Sequence, residues 1–159
     1  MLEDPNDARL PPSSDALANG SHTNGTSSRQ KYDLVLSHLV LHHIPDMSAF
    51  LTTLFGCLKP GGRLAVTDFE DFGPEARKFH PESKMDGVER HGIPRKEIEA
   101  ILKKIGFVDV KVEVGWVMRK EIEAFPGEWG NKRPTREERG GKPLEEMDFP
   151  FLVMQGTKA

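Results

Sequence analysis

Between Lys31 and Asp68 the chain reads KYDLVLSHLVLHHIPDMSAFLTTLFGCLKPGGRLAVTD, and no other stretch restricts the fold as much. Residues 32–37 are a short apolar run of strand formers. Asp46 is placed to cap a helix with apolar positions at Met47, Phe50, Leu51, Leu54, Phe55 and Leu58. That is the i, i+3, i+4, i+7 spacing of one buried face. Lys59 suits a helix C-terminus, and Pro60-Gly61-Gly62 stops the helix and turns the chain. Residues 63–68 form a second apolar strand. Strand, crossover helix and strand of these lengths make a βαβ unit with parallel strands, so the fold class is α/β.

The remaining sequence fits around this unit. Residues 5–30 hold no aromatic side chain and are dense in Pro, Ser, Asn, Gly and Asp. Such a segment cannot bury enough apolar surface to offset its ordering entropy, and residues 1–30 are expected to be disordered. Asn24-Gly25-Thr26 matches a glycosylation acceptor, but the N-terminus has no apolar core of a secretory leader, and a cytoplasmic protein is expected. Residues 74–93 are too long for a plain connector and are expected to fold over a site as a lid. After Pro94, the residues Ile98, Ile101, Leu102 and Ile105 repeat the core spacing of a helix that Gly106 ends. Residues 107–117 alternate apolar and polar side chains as a half-buried strand does. Residues 119–148 are a charged excursion, with a short helix expected over 121–125, and residues 149–159 are a last strand and tail.

Composition excludes several classes of function. A net charge of -3 gives no basic face for a nucleic acid. No run is long enough to span a membrane. The one cysteine, Cys57, cannot form an internal disulfide and reads as a packing residue on the predicted helix. His38 and His42 have the i, i+4 spacing that can place two metal ligands on one helical face. Sequence pattern supplies no third or fourth ligand, and no metal is expected.

The string Tyr-Asp-Leu-Val-Leu-Ser, then Leu41-His42-His43-Ile44, then Leu58-Lys59-Pro60-Gly61-Gly62-Arg63-Leu64, resembles the fourth and fifth strands of class I S-adenosylmethionine-dependent methyltransferases. Within that class it is similar to the UbiE-like small-molecule enzymes of methyltransferase types 11, 12 and 25. The resemblance covers residues 31–118 and, more faintly, the last strand. It implies a partial Rossmann-like sheet made of the fourth to seventh strands: three parallel strands plus an antiparallel last strand inserted beside the second. It implies S-adenosyl-L-methionine as cofactor and a small-molecule methyl acceptor as partner. Ser37, His38 and Leu39 would then lie beside the methionine end of the cofactor, and Glu3 or Asp4 would reach its adenine. Asp68, Glu70 and His91 are candidate substrate contacts. His43 and His80 are candidate bases, since imidazole titrates near neutral pH.

The family grips its cofactor chiefly with a glycine-rich loop after its first strand, and no strand–glycine loop–helix pattern precedes Lys31. The chain therefore reads as the C-terminal half of a methyltransferase, with the N-terminal half missing and weak or absent cofactor binding by itself. In that reading residues 32–37 become an edge strand with unpaired backbone and exposed apolar side chains. Such an edge invites a complementing chain or self-association, and a non-enzymatic interaction module is the alternative function.

Overall fold

A computed structural model describes residues 4–7, 9–11 and 29–159. Glu3, residues 12–28 and the Asn24-Gly25-Thr26 triplet lie outside the described residues. Among the described residues are four strands and two α-helices: β1 (Tyr32–His38), α1 (Met47–Cys57), β2 (Leu58–Phe69), α2 (Arg95–Ile105), β3 (Phe107–Ile122) and β4 (Glu145–Lys158). The strands form one sheet in the order β1-β2-β4-β3. β1 pairs with β2 in parallel, while β4 is antiparallel to both β2 and β3. Hence β1, β2 and β3 point one way and the inserted β4 points the other, the directions that the sequence analysis anticipates.

Local chemistry explains the elements. The Asp46 side chain accepts a hydrogen bond from the Ala49 N–H at 2.9 Å and caps α1. Gly106 ends α2 with φ 111°, and its N–H donates to the carbonyls of Leu102 and Lys103. The Pro60-Gly61-Gly62 turn takes a form the sequence did not suggest. It lies within β2 as an irregularity, where the register jumps from Leu58 opposite Tyr32 to Arg63 opposite Leu34. The helix thus passes straight into the strand, and the extra residues bulge out, with Gly61 at φ 75°.

Residues 121–125 do not form the expected helix. Glu121 and Ile122 are the end of β3, paired with Glu146 and Glu145 of β4. Ile122 is buried, and the cross-strand ladder decides the conformation over local helical preference.

Leu64, Val66 and Asp68 point to one face of β2, and Ala65, Thr67 and Phe69 to the other. On the first face α1 and α2 pack over a core that includes Leu51, Leu64, Val66, Ile98, Leu102, Leu152 and Met154. Among the described residues, the second face is covered by a core cluster at the carboxyl end of β2. There Phe69, Phe79, Ile122, Phe149 and Phe151 form a smaller aromatic cluster. Toward the amino end, the edge strand β1 leaves Leu34 50% and Leu36 69% exposed. Among the described residues no helix is long and apolar enough to cross a membrane.

Candidate functional site

The polar groups concentrate at the carboxyl ends of β1 and β2, where an open α/β sheet usually receives its ligand. β1 is followed by Leu39, a non-glycine residue at φ 53°. A left-handed residue with a Cβ costs about 1–2 kcal/mol, and such strain gathers at ligand sites. The Leu39 N–H donates to the Thr67 carbonyl at 2.9 Å, which anchors the bend. The chain then enters a 3₁₀ turn, Leu41–His43, with Leu41 and His42 buried.

Asp68, fully buried at the end of β2, organises this turn. Its carboxylate accepts from His42 Nδ1 at 2.9 Å, from the His42 backbone N–H at 3.1 Å and from the Phe69 N–H at 2.9 Å. Three donors answer the cost of burying the charge. Arg90 clamps the turn from outside, donating to the carbonyls of Leu41, Ile44 and Pro45. The neighbouring His43 donates through Nδ1 to the Gly87 carbonyl at 2.7 Å.

The segment expected as a lid is packed into the fold. It makes two 3₁₀ turns, Pro74–Phe79 and Glu82–Lys84, and buries Ala76 and Phe79. Phe79 stacks on Phe69 with ring centres 4.1 Å apart. Ile93 closes the segment, its N–H bonded to the Phe69 carbonyl at 2.9 Å. This packing brings His80 beside His42, with ring centres 5.0 Å apart, and beside His43, at 5.9 Å. Burial, followed by the proximity of His42, lowers the His80 pKa to about 4, so the ring is neutral at physiological pH.

The other residues singled out in the sequence are distributed differently. His38 faces away from this cluster: its Nδ1 is 2.7 Å from Thr67 Oγ1, and its ring lies over Phe151 and Trp116. His38 and His42 therefore do not share a helical face, because β1 ends between them. Ser37 is half-buried on β1. Glu70 is held by Arg95 at 2.9 Å. His91 lines a separate cleft with Asp71, Arg77 and Arg90. Asp4 is exposed and accepts the Asn6 N–H within its own turn at 2.8 Å.

Two features escaped the sequence analysis. One is a cleft of about 550 Å³ with His80 in its wall, lined also by Lys84, Lys120, Lys132, Arg133 and Glu121. Burial and then the charge of Lys84 lower the Lys120 pKa, and the Lys120 ammonium sits 4.0 Å above the Phe79 ring. The other is Glu123, buried at the end of β3. Its carboxylate accepts from the N–H groups of Glu82, Trp129 and Gly127, tying the Glu82–Lys84 turn to the far end of the hairpin. Burial alone would raise the Glu123 pKa, but the three donors together outweigh it and hold the carboxyl below its ordinary range. A signal for the Asp68 pairing was present in the sequence: an acid closing an apolar strand needs donors if it is buried.

A family model described as a methyltransferase domain matches residues 4–112. Among curated proteins the chain is similar to phosphoethanolamine N-methyltransferase 2 of Caenorhabditis elegans. The two are 32% identical over 92 residues, 57% of this chain and 21% of that protein. The chain thus spans about a fifth of the length of that relative. Among solved structures it resembles a SAM-dependent methyltransferase from Thermotoga maritima, with TM-score 0.52 and 18% identity, over 98% of this chain and 61% of that one. It also resembles phosphoethanolamine N-methyltransferase 2 of Haemonchus contortus in complex with S-adenosyl-L-methionine, with TM-score 0.50 and 16% identity, over 83% of this chain and 35% of that one. At these identities the structural likeness is one of fold.

Proposed function

Since the chain belongs to the methyltransferase-domain family, we propose that it forms the acceptor side of a site for methyl transfer from S-adenosylmethionine to a small, phosphate-bearing amine. The observation that carries this reading is the basic cleft beside His80. Lys84 and Lys120 repel one another there, and a phosphate would relieve that repulsion. The names of the similar curated proteins, phosphoethanolamine N-methyltransferases, agree with an acceptor of that charge.

The bound cofactor supplies an activated methyl group. The residues that fit its methionine end are Ser37, His38 and Leu39, where the left-handed bend at Leu39 leaves the end of β1 open and His38 exposed. The chain's own contribution is to hold the acceptor and take its proton. An ammonium must lose a proton before its nitrogen can form a bond to carbon. His43, oriented by the Gly87 carbonyl, and the neutral His80 are the candidate bases. Positioning in line supplies much of the remaining rate. Asp68 orients His42 and shapes the turn that carries His43. Asp4, by contrast, adjoins Pro5 beside Lys31 and Gly56 at the opposite end of β1 and is not placed to reach the adenine.

The exposed Leu34 and Leu36 on the edge strand support a half-site whose second wall is further polypeptide paired along β1. Two titrations test these points. Isothermal calorimetry with S-adenosylmethionine is expected to show no saturable binding by this chain, and micromolar affinity overturns the half-site. NMR titration with phosphoethanolamine is expected to shift the His80 and Lys120 resonances, while ethanolamine does not; equal effects overturn the phosphate-bearing acceptor. The same edge supports self-association, which sedimentation velocity would reveal as dimers.

A further inference from the structure

His42, His43 and His80 meet at the carboxyl ends of β1 and β2, and one ring nitrogen from each lies within 4.8 Å of the others. Two of the rings are oriented from outside. Asp68 takes the Nδ1–H of His42, and the Gly87 carbonyl takes the Nδ1–H of His43. In the neutral imidazoles this leaves the lone pair on Nε2 of both residues. Two nitrogens of the group, His42 Nε2 and His80 Nδ1, are buried with no hydrogen-bond partner. A buried polar atom left unpaired costs about 1–3 kcal/mol, and in a folded protein it calls for an explanation.

We propose that His42, His43 and His80 are the ligands of a divalent transition-metal site of the zinc type, with the Asp68 carboxylate as the outer partner that orients His42. Imidazole suits zinc and its neighbours in the first transition row. A ligating histidine almost always gives its other ring N–H to a carboxylate or a carbonyl, and His42 and His43 do so here. Tetrahedral zinc with Zn–N bonds of about 2.0–2.1 Å places its ligand nitrogens roughly 3.3 Å apart. The rings therefore close in by about 1.5 Å at most, a movement open to His43 on its turn and to His80 just past the Pro74–Phe79 turn.

This site goes beyond the methyl-transfer reading and does not depend on it. A ring nitrogen that holds a metal cannot also take a proton, so metal and acceptor proton would compete for His43 and His80. The test uses the full chain without an affinity tag, titrated with zinc against a chromogenic chelator and with cobalt(II) followed by visible absorption. The expected result is one equivalent of metal at micromolar affinity or tighter, with the intense visible bands of four-coordinate cobalt. His80→Ala and His43→Ala should each weaken binding at least about tenfold, and His38→Ala should leave it unchanged. Circular dichroism establishes that each variant is folded, and the cobalt spectrum of the unaltered chain stands as evidence by itself if a variant is not. Absence of saturable binding, or wild-type affinity in folded His80→Ala and His43→Ala, overturns the site.

Discussion

The two faces of one sheet treat the same kinds of side chain in opposite ways. Asp68, on the helix-covered face of β2, and the His42 ring that it holds beside Phe69 are closed off from water, with side-chain exposures of 0% and 2%. One residue earlier along β2, Thr67 points to the other face and meets the exposed His38. Both are contacts between a histidine and a β2 side chain, and their meaning differs with burial. The His42–Asp68 contact has no water to replace it if broken, so it fixes the turn that carries His43. The His38–Thr67 contact exchanges freely with solvent. The apolar residues divide likewise: Leu64 is in the core, whereas Leu36, on the neighbouring strand, is open. The helix-covered face holds the larger core, and the second face is closed by its aromatic cluster at one end and open where β1 exposes Leu34 and Leu36.

The largest expected effect separates the two polar contacts. Asp68→Ala should cost about 3–5 kcal/mol, because three donors, one of them a buried ring nitrogen, lose their acceptor. Thr67→Val should cost only about 1 kcal/mol. Urea denaturation of both variants measures the gap, and equal costs would remove the contrast between the faces. The next effect separates the leucines. Leu64→Ala should cost about 3 kcal/mol through lost burial and the cavity left behind. Leu36→Ala should stay within about 0.5 kcal/mol, while lowering any self-association seen by sedimentation. A large loss of stability from Leu36→Ala would mean that the edge is covered.

The smallest effect concerns the buried Glu123 at the far end of the hairpin. Its folded pKa lies below the unfolded value, so its contribution is present above the ordinary glutamate pKa of about 4.3 and is lost as pH falls through the lower folded value. Glu123→Gln should therefore be less stable than wild type at pH 7, and the difference in melting temperature should shrink below pH 4. A difference that persists unchanged into acid would show that packing, not charge, is what Glu123 supplies.

Much of the scaffold could be read along the chain. Asp46 announces α1, Gly106 ends α2, and the spacing of Ile98, Ile101, Leu102 and Ile105 marks the buried stripe between them, because these signals act over three or four residues. The site was legible only in part. His43 and His80 were named as candidates and do come together, but the spacing along the chain only related His42 to His38, with no metal expected, and gave no sign of Asp68, twenty-six residues on, as its partner. Glu70 and His91 carried no sign that one would be taken by Arg95 and the other would line a different cleft.

What this sequence determines by itself is the βαβ unit, the second helix and their buried faces, since hydrophobic period, caps and turn residues are local properties; the strand at residues 121–122 came from cross-strand pairing instead. It also determines that β1 and β2 run parallel, as a strand–helix–strand of that length dictates. The tertiary structure alone decided which polar groups became neighbours. Packing Phe79 on Phe69 carried His80 to His42, and the β3–β4 ladder brought Lys120 and Glu123 against residues some forty positions earlier. Those meetings depend on long-range burial, whose free energy comes from surface removed from water and not from any spacing along the chain.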